Sequence, residues 1–227
     1  MSASAEAGKN ASEAPGRDRG ARGETGKLPE EGKDQRMKHV ILMGSPRKHG
    51  NTAALLKPFT ETLLSAGEEV QSFFLYEMEI RGCEACRVCQ CDWSSAGCRI
   101  QDDMQQIFAA VLQADRIVLA TPIYSWYCTA PMKAVLDRLV YGLNKYYGEK
   151  KGPSIWAGKR VAVITTCGYR PERGADLFEE GIRRYCKHSG LIYEGMLAER
   201  HLGYSVPFMD DEKKEHAEEF ARKLMII

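Results

Sequence analysis

The sequence predicts an α/β fold, a doubly wound five-stranded parallel sheet with strand order 2-1-3-4-5, and three observations carry that prediction. Short uninterrupted apolar runs such as Val40-Ile41-Leu42-Met43 and Ile117-Val118-Leu119-Ala120 have the pattern of strands buried on both faces. Strand-like and helix-like segments alternate five times along the chain, which favours right-handed crossovers onto one parallel sheet. The apolar runs at 40–43, 117–120 and 161–164 then stop abruptly in Gly, Pro, Ser or Thr, the chemistry of the carboxyl ends where open α/β sheets bind ligands.

Composition bounds the rest. A chain of 227 residues is long enough to bury the core of one domain, and 44% hydrophobic with 28% charged residues is ordinary for a globular protein. Against 32 Lys and Arg stand 31 Asp and Glu, so no basic excess points to nucleic acid. No apolar run approaches the roughly 20 residues that span a membrane. Five of the eight Cys crowd between Cys83 and Cys98, unlike the spread framework of a small secreted domain, and a cytoplasmic protein with reduced thiols is expected.

Residues 1–36 are rich in Ala, Gly, Glu, Lys and Arg, with Leu28 their only large aliphatic side chain besides Met1. Such a segment buries too little apolar surface to offset its ordering entropy, so a disordered extension is expected ahead of a domain over 37–227. The first strand, Val40–Met43, runs into the loop GSPRKHGNT, and Ala54, Leu55, Leu56, Phe59, Leu63 and Leu64 give the following helix its apolar side. Val70–Leu75 is a second strand, and a Cys-rich insertion at about 78–100 follows it. Asp102 with Gln105 has capping-box spacing for a helix carrying Met104, Ile107, Phe108, Val111 and Leu112 inward. That spacing makes Asp102 and Asp103 a cap and a dipole partner, not a catalytic pair.

Arg116–Ala120 is the third strand, ending in Thr121-Pro122-Ile123-Tyr124-Ser125-Trp126-Tyr127. A helix over Met132–Tyr141 comes next, with Lys133, Asp137 and Arg138 expected on its polar side, then a polar connection over 143–154. Val161–Thr166 is the fourth strand, followed by Thr165-Thr166-Cys167-Gly168-Tyr169 at its end. A helix over Arg173–Ser189, with Leu177, Ile182, Tyr185 and Cys186 inward, closes at Gly190. Leu191–Leu197 and Asp210–Leu224 supply the last strand and helix.

The first loop is built for an anion. Gly44 and Gly50 permit a sharp turn, Ser45, Arg47, Asn51 and Thr52 supply donors, and a helix amino terminus points into them. It lacks both the Gly-Lys-Ser/Thr of NTPases and the G-x-G-x-x-G of dinucleotide binders. What remains suits a single phosphate monoester held without metal, as in flavin mononucleotide (FMN); the same residue types also make an ordinary strand-to-helix turn. The predicted strand order brings TPIYSWY and TTCGY beside it, one able to stack on a flat ring and the other to offer N–H groups to a ring edge.

Cys83, Cys86 and Cys89 are spaced C-x2-C-x2-C, with Cys91 and Cys98 beyond. Three thiolates at that interval with a fourth nearby suit a [4Fe–4S] cluster. Zinc is a rival, although zinc sites bring two separated knuckles together and no His lies nearby; idle or disulfide-bonded thiols are another.

On GSPRKHGNT, GCEACRVC with GCRIQDDM, and TPIYSW with Lys133 and Asp137-Arg138 downstream, the chain resembles the flavodoxin-like NAD(P)H-dependent FMN reductases, most closely their iron–sulfur flavoprotein branch, over about residues 38–200. The resemblance implies that Ser45, Arg47, Asn51 and Thr52 hold the FMN phosphate, that Pro122, Ile123, Tyr124 and Trp126 line the flavin, and that Thr166, Cys167 and Gly168 approach its pyrimidine end. No side chain need act as acid or base, because the flavin carries the redox chemistry. It also implies a homodimer or homotetramer, and Cys83, Cys86, Cys89 and Cys98 as cluster ligands beside the flavin edge. The gap of eight residues before Cys98 and the extra Cys91 depart from the family motif and leave the fourth ligand open. The function so implied is electron transfer from NAD(P)H or a redox protein to a quinone, flavin, oxygen or similar small acceptor. The alternative is an electron carrier that exchanges with ferredoxin-like partners and has no dedicated small substrate.

Overall fold

In the computed structural model, residues 36–203 and 205–226 are described. The expected extension over 1–36 lies, Arg36 apart, outside them. Five strands, β1 (Lys38–Met43), β2 (Glu69–Phe74), β3 (Arg116–Pro122), β4 (Arg160–Cys167) and β5 (Ile192–Arg200), form one sheet in the order β2-β1-β3-β4-β5 with every pair parallel. This is the flavodoxin-like arrangement that the alternation predicts, and it sets the carboxyl ends of β1, β3 and β4 side by side.

The alternation of side chains along each strand divides the core in two. Val40, Leu42, Ile117, Leu119, Val161 and Val163 face the helices α2 (Met104–Gln113), α3 (Ala130–Leu143) and α5 (Asp176–Ser189). Ile41, Met43, Val118, Ala120, Ala162 and Ile164 face α1 (Asn51–Ser65) and α6 (Asp211–Met225). Asp210 caps α6 by accepting from the Lys213 N–H at 2.8 Å, and Gly190 closes α5 in the left-handed region at φ 69°. No helix among the described residues is long and apolar enough to cross a membrane.

Four local expectations change. The helix expected from Arg173 is broken: a single turn, α4 (Pro171–Gly174), ends at Ala175 before α5 begins, and Leu177 is exposed while Phe178 packs inward. Arg138 is not on the polar side of α3 but is fully buried, whereas Lys133 and Asp137 do form the exposed pair expected there. Asp102 accepts from the Met104 N–H at 3.1 Å, yet Gln105 turns to the Ile100 carbonyl and the reciprocal half of the capping box is missing. The connection over 143–154 is solvent-exposed only in part, over 148–151, while Asn144 and Lys145 at its start are buried with Trp156 just beyond it.

Candidate functional site: three strand ends and a cysteine pocket

The loop after β1 is held by its own small groups and by its neighbours. Gly44 donates to the Ala120 carbonyl at 2.7 Å, and its own carbonyl accepts from Thr129 Oγ1 at 2.6 Å. A Cβ on Gly44 would lie 3.0 Å from that hydroxyl and 3.1 Å from Met132 Cβ, so any larger residue would crowd the close approach of loop and α3. Ser45 is buried, and its hydroxyl accepts from the Arg47 N–H at 3.2 Å. Arg47 is exposed and folds back over Gly50, where a Cβ would come within 3.2 Å of its Nε.

Gly50 is the N-cap of α1, with no side chain bonded to the first-turn N–H groups. The open donors of Asn51, Thr52 and Ala53 thus share the loop with a guanidinium that pairs with no acid among the described residues. A cation at the positive end of a helix dipole is electrostatically unfavourable unless an anion sits between them.

Thr52 ties this loop to the next. Its hydroxyl meets that of Thr166 at 2.9 Å, and both are buried. Ile123 donates to the Thr166 carbonyl at 2.9 Å, and Pro122 is the register partner of Thr166. Ser45, Arg47, Asn51, Thr52, Pro122, Ile123 and Thr166 therefore share one continuous edge. Tyr124 and Trp126 stand out from it, nearly half exposed, on a two-residue turn in which Tyr124 and Tyr127 exchange backbone hydrogen bonds at 2.8 and 3.0 Å.

The turn's central residues, Ser125 at φ 49° and Trp126 at φ 62°, occupy the left-handed region that such turns usually fill with Asn or Gly. The strain is held by contacts, since Trp126 donates from Nε1 to the Arg173 carbonyl at 3.1 Å and stacks on Tyr169 with 6.0 Å between ring centroids. Cys167 is buried, and burial pushes its thiol up to about 11, so it serves as a packed wall and not as a thiolate. Gly168 is exposed beside it, its carbonyl accepting from Arg200 Nε at 3.0 Å.

The second feature is the cysteine loop. Cys83, Cys86, Cys89 and Cys98 line one cavity of about 170 Å³, together with Arg138 and Tyr147, whereas Cys91 faces a separate hollow lined by Trp93 and Lys150. Ala85 at φ 52° and Arg87 at φ 59° kink the loop into the left-handed region on either side of Cys86. Among the described residues, no three His, Cys, Asp or Glu converge closely enough to hold a single metal ion; the thiols stand around the cavity. From α3 the cavity is lined by Arg138, Tyr141 and Gly142 in the helix's second half. With a rise of 1.5 Å per residue, roughly 12 Å of helix separates it from the loop at 121–129.

Beneath the loop lies a buried polar bed. Arg138 donates to Asp102 Oδ2 at 2.5 Å, to the Arg81 and Ile100 carbonyls at 3.2 Å each, and to Cys98 Sγ at 3.3 Å, leaving Nε as a buried atom without a partner. Burial raises the Asp102 carboxyl, but the Arg138 and backbone N–H bonds outweigh it and hold the group below the usual carboxylate range. Gln90 donates from Nε2 to the Tyr141 and Asn144 carbonyls at 2.6 and 3.1 Å. Lys145, also fully buried, donates to carbonyls of the loop and of α3. Sequence reading did not assign Arg138, Lys145, Gln90 or Thr129 to a site; Arg138 had a signal, standing with Asp137 among the residues that carry the family resemblance.

Comparison with known proteins agrees with this geometry. Residues 37–177 match the family model of the NADPH-dependent FMN reductases. An iron–sulfur flavoprotein of Methanosarcina thermophila is 32% identical over 159 residues, 70% of this chain and 78% of that one. Another, from Archaeoglobus fulgidus, is 34% identical over 120 residues, and there the match spans only about half of either chain, 52% and 53%.

Among solved structures, an NAD(P)H:quinone oxidoreductase from Methanothermobacter marburgensis has a TM-score of 0.57 at 26% identity, covering 83% of this chain and 96% of that one. An FMN-dependent NADH-azoreductase from Bacillus anthracis, with TM-score 0.61, 15% identity and coverage of 83% and 99%, shares the fold. With a family match over most of the described residues and iron–sulfur flavoproteins 32–34% identical to it, the chain belongs to the NADPH-dependent FMN reductase family, in its iron–sulfur flavoprotein branch.

Proposed function

We propose that the protein is an FMN-dependent oxidoreductase that takes electrons from NAD(P)H and delivers them to a small acceptor of the quinone, flavin or oxygen class, with a [4Fe–4S] cluster on Cys83, Cys86, Cys89 and Cys98. The observation that carries the reading is the single edge formed by three loops, locked by the Thr52–Thr166 hydroxyl contact. Uncapped N–H groups of α1, Arg47 with no acidic partner among the described residues and the tight approach at Gly44 fit a phosphate monoester. Tyr124 and Trp126, fixed at the exposed rim, fit one face of a flat ring, and the wall of Thr166, Cys167 and Gly168 fits its polar edge.

Four thiols around one cavity suit a cubane better than one zinc ion, which needs its ligands at about 2.3 Å. Bound FMN supplies the conversion between hydride and single-electron transfer. The chain's own part is to fix the phosphate, shield one ring face with the Trp126–Tyr169 stack and keep Cys167 protonated. The family resemblance adds assembly as a homodimer or homotetramer in the cytoplasm.

A specific feature favours a second reading, electron exchange with a ferredoxin-like protein: Cys83 and Cys86 are exposed at the mouth of the cavity, within reach of a docked partner. Anaerobically purified protein, assayed for FMN, iron and sulfide and then for NAD(P)H oxidation with quinone, flavin and oxygen, separates the two. Turnover with any of these acceptors supports the enzyme; none, together with reduction by ferredoxin, supports the carrier; a protein that retains no flavin overturns both. Cys98→Ser should abolish bound iron and Cys91→Ser should leave it, and the reverse result would reassign the fourth ligand.

A further inference from the structure

Lys145 is fully buried, and its partners are oxygens of peptide groups alone: the carbonyls of Cys89 at 2.8 Å, Ser95 at 2.6 Å, Ala96 at 3.4 Å and Gly142 at 2.5 Å. It makes no ion pair among the described residues. Arg138, the other buried cation of this bed, is matched by Asp102, whereas Lys145 has only the more distant attraction of Asp92, an exposed carboxylate held by Ser94 and outside the bed. A buried ammonium without a paired counter-charge is costly even when its N–H groups are all bonded. Two structural facts show where the counter-charge belongs. Lys145 clips both arms of the cysteine loop, one at Cys89 and one at Ser95-Ala96, to the end of α3. Arg138 meanwhile aims Nη2 at Cys98 Sγ, 3.3 Å away, from the same cavity wall.

We propose that Lys145 is a positioning residue whose charge is the built-in counter-cation of the cysteine cavity, selecting an anionic occupant and favouring its more negative, reduced form. The inference rests on the cluster reading above. Four thiolates around a [4Fe–4S] core give a net anion whose charge grows by one on reduction, so a fixed cation nearby stabilises the reduced state more than the oxidised one. Arg138 adds a donor to one sulfur, and its remaining Nε is a donor with no protein partner.

The test compares the wild-type chain with Lys145→Gln, which keeps a donor for the carbonyls and removes the charge. The exposed Lys150→Gln, on the outer hollow, is the control. Circular dichroism reports folding, iron and sulfide assays report occupancy, and a redox titration followed by electron paramagnetic resonance reads the reduced-to-oxidised ratio at fixed potential. Lys145→Gln should hold its iron and show that ratio lowered at least tenfold, which is 59 mV for a one-electron couple, while Lys150→Gln stays within twofold of wild type. A folded Lys145→Gln chain that takes up at least tenfold less iron also supports the role. An unmoved ratio in an iron-loaded variant overturns it. So does a variant that cannot fold, because Lys145 is then a structural clip and not a charge. Wild-type protein that binds neither iron nor sulfide removes the cluster reading itself, a failure visible before any variant is made.

Discussion

Arg47 shows how one residue's meaning depends on what surrounds it. On a surface, an exposed arginine without an acidic partner contributes little. Here it lies over the N-cap of α1, where its charge and the helix dipole repel, and only an anion reconciles them. Arg47→Ala should therefore weaken FMN binding by about 1.5–3 kcal/mol, the range of a charge-assisted hydrogen bond, roughly tenfold to a hundredfold in Kd by flavin fluorescence titration. Because the side chain packs against little else, the melting temperature of the flavin-free protein should not move. Retention of flavin at wild-type affinity would refute the assignment. Ser45, Asn51 and Thr52 were legible with Arg47 as candidates because a loop of this kind is local: its residues are sequence neighbours and its geometry is set by two glycines and a helix start. Arg138 and Lys145 were not legible, since their partners lie far along the chain, Asp102 in one case and Cys89 and Ser95 in the other. A charged residue on a helix reads as solvated until those partners are known.

At the scale of elements, the contact that seats the cysteine bed is α2 against α3. Gly142 lies where a Cβ would come 2.8 Å from Phe108 Cε1 and 3.0 Å from Cζ, and its carbonyl is one of the four around Lys145. Alanine favours a helix interior over glycine by about 1 kcal/mol, whereas forcing a methyl into a packed contact costs about 1–3 kcal/mol. The second effect should win. Gly142→Ala should lower stability in urea titration, by up to about 2 kcal/mol after the helix gain, with reduced iron occupancy as α3 moves off the loop. An equal or higher midpoint would show that Phe108 swings aside freely. The turn at Tyr124–Tyr127 teaches a related lesson. Its aromatic sequence announced a ligand-facing strand end, but not that Ser125 and Trp126 both take positive φ; that conformation exists because Arg173 and Tyr169, from the loop after β4, hold Trp126 in place.

At the scale of the whole molecule, the edge of the sheet opposite the site is closed by a buried charge network. Arg116 bonds Glu194 through Nε at 2.5 Å and Nη2 at 3.0 Å and also reaches the Leu224 carbonyl at 2.6 Å, joining β3, β5 and α6, with Arg160 adding a second bond to Glu194. His39 sits in this network, between Arg116 and Glu68. Burial first, and then the Arg116 charge, lower its affinity for a proton below that of an ordinary histidine, by more than Glu68 restores. The unfolded chain therefore binds more protons than the folded one once the pH drops below about 6.5. Stability from this site is present above that pH and is lost as the pH falls through and below it. Urea midpoints should decline as the pH is lowered from 7 toward 5, and His39→Gln should flatten that slope; a slope unchanged by the substitution would place the titration elsewhere.

Sequence by itself determined the order of strands, the glycine-bounded turn from β1 into α1 and the spacing of the Cys run, because apolar periodicity, glycines and short spacings act over a few residues. Tertiary structure alone decided that Cys98 and not Cys91 joins the cavity, that the second half of α3 lines it, and that Arg138 and Lys145 are buried beneath the cysteine loop. These depend on how an irregular loop folds onto a helix some 40 residues further on, where burial and charge balance are set by contacts that no local pattern encodes.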